Sequence, residues 1–360
     1  AQESRGLGDV YKRQFKDGDP NGNGAADEVP LSGSASEPII NYLMNAFTYA
    51  PVGGPSSPPP LVLDGDEVVL NATSDSWRAG LEYITSLAQE GLLDTAAFTQ
   101  NGDALKALGD SADAQILGSA VTLHPYVFVS ADSPDGRDKN YDAVAPLAGP
   151  DGTQLATWRS PVNPVGTFAL TNKSTEEERI EAIKLLDYLA TDEGQIRASM
   201  GPEGEAWVPA EEGDLALDPE LEPTFRPVTY DETSNAAWRS MSQYWDSLEF
   251  RNAQVVPEDI YTPDGYERRL LYATQEYEPF APDESVLFPV EKLWPDLETS
   301  AELAELQTNI ATYITQAQAE FVTGQRDIAD DAAWDAYVAD IEGLGLARYL
   351  ELLQAAYDAL

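Results

Sequence analysis

Apolar residues recur at helical spacing in several separate stretches of the chain. In residues 75–93 they lie three or four positions apart and share one face, formed by Trp77, Leu81, Ile84 and Leu87. The same spacing is found in residues 299–324 and 330–343, and again after Gly345. The pattern predicts a helix in each of these stretches and a further helix within residues 36–48.

Two of the predicted helices also carry a start signal. Thr175 is followed three residues later by Glu178, and Thr299 is followed in the same way by Glu302. This spacing is typical of a capping box, in which the side chains of the two residues bind each other's backbone N–H groups. The helix after Thr175 is expected to bury one apolar stripe, formed by Ile180, Ile183, Leu186 and Leu189 or their neighbours.

Strand signals lie between these helical stretches. Residues 114–129 are apolar and rich in β-branched and aromatic side chains, and residues 141–147 read as a short strand before the turn sequence GPDG. Shorter helical patterns occur in residues 236–248 and 266–276. The alternation of strands and helices predicts an α/β architecture.

The length and the charge of the chain limit the classes of fold and partner that are possible. A chain of 360 residues exceeds what one hydrophobic core usually supports, which favours two lobes. Its net charge of -42 would repel nucleic acids and anionic membrane surfaces. No apolar run approaches the roughly 18 residues of a membrane span. The absence of cysteine excludes disulfides, cysteine nucleophiles and thiolate metal sites.

The first 14 residues, AQESRGLGDVYKRQ, have neither an initiator Met nor the apolar core of a signal peptide. The stretch GLGDVYKRQ resembles the translated remnant of a sequencing adapter. We therefore expect residues 1–14 to be an extraneous segment or a disordered tail outside the folded domains. On this interpretation an N-terminal portion is missing, together with any signal peptide or lipid-anchoring cysteine.

The sequence DGDPNGNGAADE, residues 17–28, alternates short oxygen-bearing side chains with Gly and Pro. Calcium needs about six to eight oxygen ligands, which such a tightly curled loop can supply. An EF-hand register would begin at Asp17 and use Asp19, Asn21, Gly22 and Glu28. A second register begins at Asp19 and uses Asp19, Asn21, Asn23, the Ala25 carbonyl, Asp27 and Glu28. Pro30 disfavours a following helix, so the second register is preferred. An acidic surface turn without an ion is the alternative.

Several segments together resemble the family 1 extracellular solute-binding proteins, in particular the branch of lipoproteins for oligosaccharide uptake and alginate-binding proteins. The resemblance extends from Phe15 to Leu360. The segments that carry it are FKDGDPNGNGAADEVPLSG, VAPLAGPDG (144–152), KLLDYLATDEG (184–194), GPEGEAW (201–207) and the closing EFVTGQRDIADDAAWDAYVADIEGLGLARYLELLQAAYDAL.

The resemblance implies an α/β, two-lobed, periplasmic-binding-protein-like (type II) fold with a hinge and an interlobe cleft, in which the first lobe is incomplete. Residues 15–145 would be the first part of lobe 2 with the calcium loop, residues 146–225 a return segment of lobe 1, and residues 226–360 the second part of lobe 2. The calcium register from Asp19 is also that of the family, although Ala25 stands where Lys is common.

The same resemblance implies the function. The chain would be the substrate-binding subunit of an ABC importer, a monomeric extracellular or periplasmic protein and a cell-surface lipoprotein. It would bind an oligosaccharide between its lobes, deliver it to permease subunits and perform no catalysis. Calcium would be structural. The membrane would be contacted only through a lipid anchor, and nucleic acid would not be a partner.

Sugar sites combine flat aromatic faces with planar polar groups. Trp77, Trp334 and Tyr337 lie on helical stripes and are assigned to the core. The candidate ligand residues are aromatic or polar side chains near Pro, Gly or Asn, namely Tyr126, Trp158, Trp207, Trp238, His124 and Arg159. The resemblance places Tyr126 and Trp238 at the cleft. Arg159 and Arg239 could bind a sugar carboxylate, or could stack on Trp at the surface.

Two other functions compete with this interpretation. A glycoside hydrolase needs only two carboxylates about 5 to 10 Å apart, and the chain has 63 acidic residues. A calcium-dependent matrix or adhesion module would suit the acidity and the loop. The sequence contains no nucleophile elbow, GxGxxG, P-loop or HExxH motif and no internal repeat. Sugar cleavage would indicate the hydrolase, and calcium-dependent self-association would indicate the matrix module.

Overall fold

The computed structural model describes residues 2–37, 39–51, 57–112, 114–131, 133–158, 168–228, 237–240 and 244–360. The chain forms two compact units. Unit 1 comprises Ala1–Pro164 and Ala273–Leu360, and unit 2 comprises Val165–Tyr272. The chain therefore enters and leaves unit 2 once.

Helices dominate the described residues. They are α1 (Gln2–Asp17), α2 (Ile39–Met44), α3 (Asp75–Gln89), α4 (Gly102–Gly109), α5 (Glu176–Leu189), α6 (Asp192–Ser199), α7 (Leu248–Asn252), α8 (Tyr266–Tyr277), α9 (Ser300–Val322), α10 (Asp331–Gly343) and α11 (Leu346–Tyr357). Two antiparallel strand pairs accompany them, β1 (Leu61–Asp64) with β2 (Glu67–Leu70) and β3 (Trp207–Pro209) with β4 (Phe225–Pro227).

The core of unit 1 is built from the predicted helical stripes. Trp77, Leu81, Ile84 and Leu87 of α3 are all buried, and they belong to one cluster with residues of α9, α10 and α11. Tyr337 of α10 is fully buried, and its hydroxyl donates a hydrogen bond of 3.1 Å to the Ala72 carbonyl. The predicted core roles of Trp77, Trp334 and Tyr337 are confirmed.

The helix starts follow the sequence in part. Thr175 and Glu178 form the predicted capping box of α5. Thr299 makes no side-chain cap on α9, in contrast to the prediction. Its hydroxyl donates a hydrogen bond of 3.2 Å to the Asp296 carbonyl, and Glu302 forms an ion pair of 3.0 Å with Arg348.

The predicted buried stripe of α5 is wrong for two of its four members. Ile180 and Ile183 are 48% and 45% exposed, whereas Leu189 is buried. Helix α6 packs at the C-terminal end of α5, where Gly194 lies so close that a Cβ there would stand 1.8 Å from the Tyr188 carbonyl oxygen. The preceding turns of α5 therefore face solvent.

The described residues of 114–129 and 141–147 form no strand, in contrast to the sequence pattern. The first stretch makes isolated bridges from Leu117 to Val29 and from Ala120 to Ser32, then a 3-10 turn at Pro125–Val127. Its apolar residues pack side chain to side chain instead, with the Phe128 and Tyr141 rings edge to face at 4.8 Å. In the region 236–248, the helical residues among those described are a short 3-10 turn at Trp238–Ser240 and Leu248, the first residue of α7.

Residues 2–14 belong to α1 rather than to a disordered tail. The end of this helix is fixed to the end of α3: Arg13 forms an ion pair of 2.7 Å with Glu90, and the Lys16 ammonium donates a hydrogen bond of 2.6 Å to the Glu90 carbonyl. The Phe15 ring lies against Gly118. These contacts hold the start of the loop that follows α1.

The units divide the chain at other positions than the predicted lobes. Residues 226–272 stay with unit 2 because Trp207 pairs with Pro227 across β3 and β4, and because the Arg268 guanidinium donates to the carbonyls of Ala216, Leu217 and Val256. Residues 146–158 stay with unit 1, where the Ala156 amide donates to the Phe280 carbonyl at 2.7 Å. The assignment of the units to lobes stays a prediction.

Candidate ligand and calcium sites

The acidic loop lies between α1 and a bridged segment at 29–32. The Val29 amide donates to the Ile116 carbonyl at 2.8 Å, and the Gly118 amide donates to the Val29 carbonyl at 2.9 Å. These two hydrogen bonds hold the far end of the loop. Within the loop the backbone is left-handed at Asp19 (φ 46°), Gly22 (φ 70°) and Gly24 (φ 75°). Glycine adopts this conformation without strain, so the sequence permits the tight curl.

The hydrogen bonds of the loop converge on Asp19. Its carboxylate accepts the N–H groups of Asn23 and Gly24, both at 3.0 Å. The Asn21 side-chain oxygen accepts the Asn23 N–H at 2.9 Å, and the Asn23 side-chain oxygen accepts the Ala25 N–H at 2.7 Å. The chain is thereby wrapped around the first residue of the second predicted register.

Two further contacts bring the remaining acidic residues to the same loop. The Asn23 amide nitrogen lies 3.2 Å from both carboxylate oxygens of Asp27, and the Asn21 amide nitrogen lies 3.3 Å from Glu28 Oε1. Asp17 is instead part of the last turn of α1. In the part of the chain that the structure describes, no three Asp, Glu or His side chains gather closely enough to hold a metal ion. Calcium binding here would depend on Asn and backbone oxygens as well.

Unit 2 contains a cavity of about 1240 Å³ that brings together two of the predicted ligand residues, Trp207 and Trp238. Phe225 and Phe250 line it as a stacked pair with ring centroids 4.8 Å apart. Six carboxylates also line the cavity, those of Asp192, Glu193, Glu203, Glu220, Glu222 and Glu249. It thus combines flat apolar faces with hydrogen-bond acceptors.

The two tryptophans are held differently. Trp207 lies in β3, and its indole N–H donates a hydrogen bond of 3.0 Å to the Gly201 carbonyl, which fixes the ring. Trp238 lies in the short 3-10 turn and is 40% exposed, and Arg239 beside it is exposed as well. Arg197 lines the cavity, but its guanidinium is paired with Glu193 at 2.9 Å. The described lining is therefore strongly negative.

His124 and Tyr126 belong to unit 1 and are not among the residues that line that cavity. The Tyr126 side chain packs against a small buried cluster that includes Leu105, Leu117 and Phe128. Its carbonyl accepts a hydrogen bond of 3.4 Å from the Lys106 ammonium. Partial burial, and secondarily the charge of Lys106, hold the pKa of His124 below its usual range. At neutral pH this histidine is mostly uncharged.

Trp158 also belongs to unit 1. Its carbonyl accepts a hydrogen bond of 2.9 Å from the Tyr49 hydroxyl. Burial, with a smaller contribution from the negative charge of Glu291, raises the pKa of Tyr49 to about 12, so this hydroxyl keeps its proton. Arg159 lies outside the described residues. The predicted ligand residues that the structure describes are thus divided between the two units.

The sequence interpretation did not single out several exposed aromatic residues, among them Tyr244, Trp245 and Trp294. Tyr244 and Trp245 of unit 2 are 48% and 58% exposed, and Trp294 of unit 1 is 88% exposed. Trp294 stands before a proline and away from any helical stripe, which is the signal that singled out Tyr126 and Trp158. No helix among the described residues is long and apolar enough to cross a membrane.

No protein-family model matches the chain. Among curated proteins it is similar to the fructooligosaccharide ABC transporter substrate-binding protein FusA of Streptococcus pneumoniae serotype 4, with 24% identity over 348 residues. The match covers 96% of this chain and 60% of FusA. The chain thus spans less than two thirds of the length of this relative.

Solved structures of solute-binding proteins have the same fold. The HMO-binding, ABC-transporter-associated protein of Bifidobacterium longum infantis superposes with a TM-score of 0.67 at 18% identity, covering 98% of this chain and 68% of that one. An EF-hand mutant of S. pneumoniae FusA in complex with fructo-nystose superposes with a TM-score of 0.59 at 22% identity, covering 98% and 67%. The predicted resemblance to solute-binding proteins and the predicted solute-binding-protein-like fold are confirmed. The hinge, the interlobe cleft and the incompleteness of the first lobe stay predictions.

Proposed function

We propose that this protein is the substrate-binding subunit of an ABC importer, which binds an oligosaccharide outside the cytoplasmic membrane and passes it to permease subunits without cleaving it. The observation that carries the proposal is the cavity of unit 2, in which Trp207 and Trp238 stand among carboxylates in a chain with a solute-binding fold.

The lining of the cavity suits carbohydrate. An indole presents a flat apolar face to the C–H side of a sugar ring, and carboxylates accept hydrogen bonds from its hydroxyls. The volume of about 1240 Å³ exceeds the roughly 300–1,000 Å³ that is usual for small-molecule pockets. The cavity therefore has room for several sugar rings, and its negative lining favours an uncharged ligand over an acidic one.

The relatives support the same assignment. FusA is named as a fructooligosaccharide substrate-binding protein of an ABC transporter, and the B. longum infantis protein as HMO-binding. Placement of the ligand between two lobes, a lipid anchor and a monomeric state stay predictions. Binding without catalysis is also a proposal. It needs its own test, because carboxylates in a sugar cavity are also what a hydrolase needs.

We further propose that the loop after α1 holds one structural calcium ion. The ligands would be Asp19, Asn21, Asn23, the Ala25 carbonyl, Asp27 and Glu28, a set of hard oxygen donors of the kind that calcium prefers. The convergence of the loop on Asp19 supports this register over the one that begins at Asp17. A solved structure of FusA is described as an EF-hand mutant, and because an EF-hand is a calcium-binding loop, this description supports the proposal.

The proposed sugar binding can be tested by thermal shift. The protein is heated with nystose, maltotetraose, cellotetraose or an HMO tetrasaccharide in calcium-containing buffer. A ligand that binds the native state raises Tm, by the equivalent of about 2.7 kcal/mol at a hundredfold excess over Kd. We expect at least one tetrasaccharide to do so and to be recovered uncleaved. Release of reducing ends would instead indicate a hydrolase, and calcium-dependent self-association without sugar binding would indicate a matrix module.

A further inference from the structure

We propose that Phe250 is a sugar-stacking residue of the unit 2 cavity and that the buried side-chain amide of Gln195 positions it. The inference rests on the proposed function and adds one contact residue and one positioning residue to it. Both residues belong to unit 2, and Phe250 lines the cavity together with Trp207 and Trp238. A phenyl ring, like an indole, presents a flat apolar face to the C–H side of a sugar ring.

Phe225 supports the ring of Phe250. Phe225 is 1% exposed, and the two rings stack with their centroids 4.8 Å apart and their planes 19° apart. Phe250 itself is only partly buried. A ring that is already held in place loses little conformational freedom when a ligand covers it. Phe250 therefore offers the accessible surface of the pair, and Phe225 keeps that surface in place.

Helix α7, which carries Phe250, is fixed at both ends. At its start, the Ser247 hydroxyl accepts the Phe250 N–H at 3.0 Å and caps the helix. At its end, the Ala253 carbonyl accepts the N–H of Thr224, the residue before β4, at 2.9 Å. A helix of five residues is too short to be stable alone. These contacts therefore set the position of the Phe250 ring.

A buried amide joins the start of α7 to α6. Gln195 of α6 is 3% exposed. Its Oε1 accepts the Ser247 N–H at 2.7 Å, and its Nε2 donates to the Ala190 carbonyl at 3.2 Å. Buried amides are costly to leave unpaired, which favours keeping both bonds. Ile196, the next residue of α6, lines the cavity. Gln195 thus links the wall formed by α6 to the helix that presents Phe250.

Calorimetric titration of matched variants tests the contact. The sugar is the panel tetrasaccharide with the lowest Kd for the wild type. Phe250→Leu keeps an apolar side chain but removes the ring, and we expect Kd to rise about tenfold or more. Leu248→Ala is the control, because Leu248 lies in the same helix, is 74% exposed and is not among the described residues that line the cavity. Its Kd should change by less than about twofold.

A double-mutant cycle tests the positioning role. Gln195→Met keeps the length of the side chain but removes the acceptor of the Ser247 N–H, and it should raise Kd about three- to tenfold. In the Phe250→Leu background the same substitution should change Kd by less than about twofold, because two residues that act through one contact are not additive. A merely structural role would lower the stoichiometry of the titration in both backgrounds and leave Kd unchanged.

The outcomes separate this inference from the proposed function. Wild-type protein that binds no panel sugar would overturn both. Wild-type binding with an unchanged Kd in Phe250→Leu would overturn only the stacking contact, as would an equal rise in Kd in Leu248→Ala. An equal rise in Kd on Gln195→Met in both backgrounds, or a loss of stoichiometry alone, would overturn the positioning role of Gln195.

Discussion

Removal of the Asp19 carboxylate tests the calcium loop. Asp19→Ala deletes the acceptor of two backbone hydrogen bonds of 3.0 Å and the first proposed ligand. Bound calcium should stabilise the wild type by about 2.7 kcal/mol at a hundredfold excess over Kd. For the roughly 250 residues of unit 1, an unfolding entropy of about 2.1 cal/mol/K per residue converts this into about 5 °C in Tm.

The assay is differential scanning calorimetry with calcium, with magnesium and with chelator. Chelation should lower the Tm of the wild type by about 5 °C and leave that of Asp19→Ala unchanged. Asp17→Ala is the matched control, since Asp17 belongs to α1 and should leave the calcium effect in place. Magnesium should substitute poorly because it prefers a compact octahedron. A wild-type Tm that ignores calcium would refute the site, and a calcium effect lost in Asp17→Ala but kept in Asp19→Ala would select the EF-hand register.

Three further results are expected. Trp238→Ala should weaken sugar binding about tenfold or more with little loss of stability, since the ring is 40% exposed; a loss of about 3 kcal/mol, as expected for Trp77→Ala, would mark it as core. Because the cavity lining is negative, a uronic-acid oligosaccharide should bind more weakly than the neutral sugar of equal length, and the difference in Kd should become smaller as the salt concentration rises. Equal affinity of the two sugars at low salt would contradict this prediction. Between about pH 10 and pH 12, Tyr49 should lower the free energy of unfolding by up to about 1.4 kcal/mol per pH unit, because its folded pKa of about 12 lies above the unfolded value and the unfolded chain loses the proton first. Urea unfolding over this pH range should show a shallower decline in stability for Tyr49→Phe than for the wild type. An equal decline in both proteins would exclude this contribution.

The helical core of unit 1 could be predicted because its signal is periodic. Trp77 and Leu81 of α3, and Trp334 and Tyr337 of α10, recur at the spacing of one helix face and are buried. The same reasoning failed for Ile180 and Ile183 of α5. Periodicity shows which residues share a face, but not whether another element covers that face.

The candidate sites also divide into features that the local sequence predicts and features that depend on contacts between distant segments. The tight curl of the loop from Asp19 to Glu28 was predictable because its oxygen-bearing side chains and its glycines are close in sequence. The packing of Tyr126 was not, because it depends on residues such as Leu105 that are distant along the chain. Trp207 and Trp238 line one cavity although they are distant along the chain, and no local sequence pattern indicates this. Trp294 also lies next to a proline and away from any helical stripe, but the sequence analysis did not single it out.

The central claim, that this protein binds an oligosaccharide and leaves it intact, is tested most directly by one calorimetric titration followed by analysis of the recovered sugar. The tetrasaccharide with the largest thermal shift is titrated into the protein in calcium-containing buffer, and the mixture is then incubated and separated by chromatography. The proposed function predicts saturable binding and full recovery of the uncleaved tetrasaccharide. Shorter sugars in the recovered material, or the absence of saturable binding for every sugar of the panel, would contradict it.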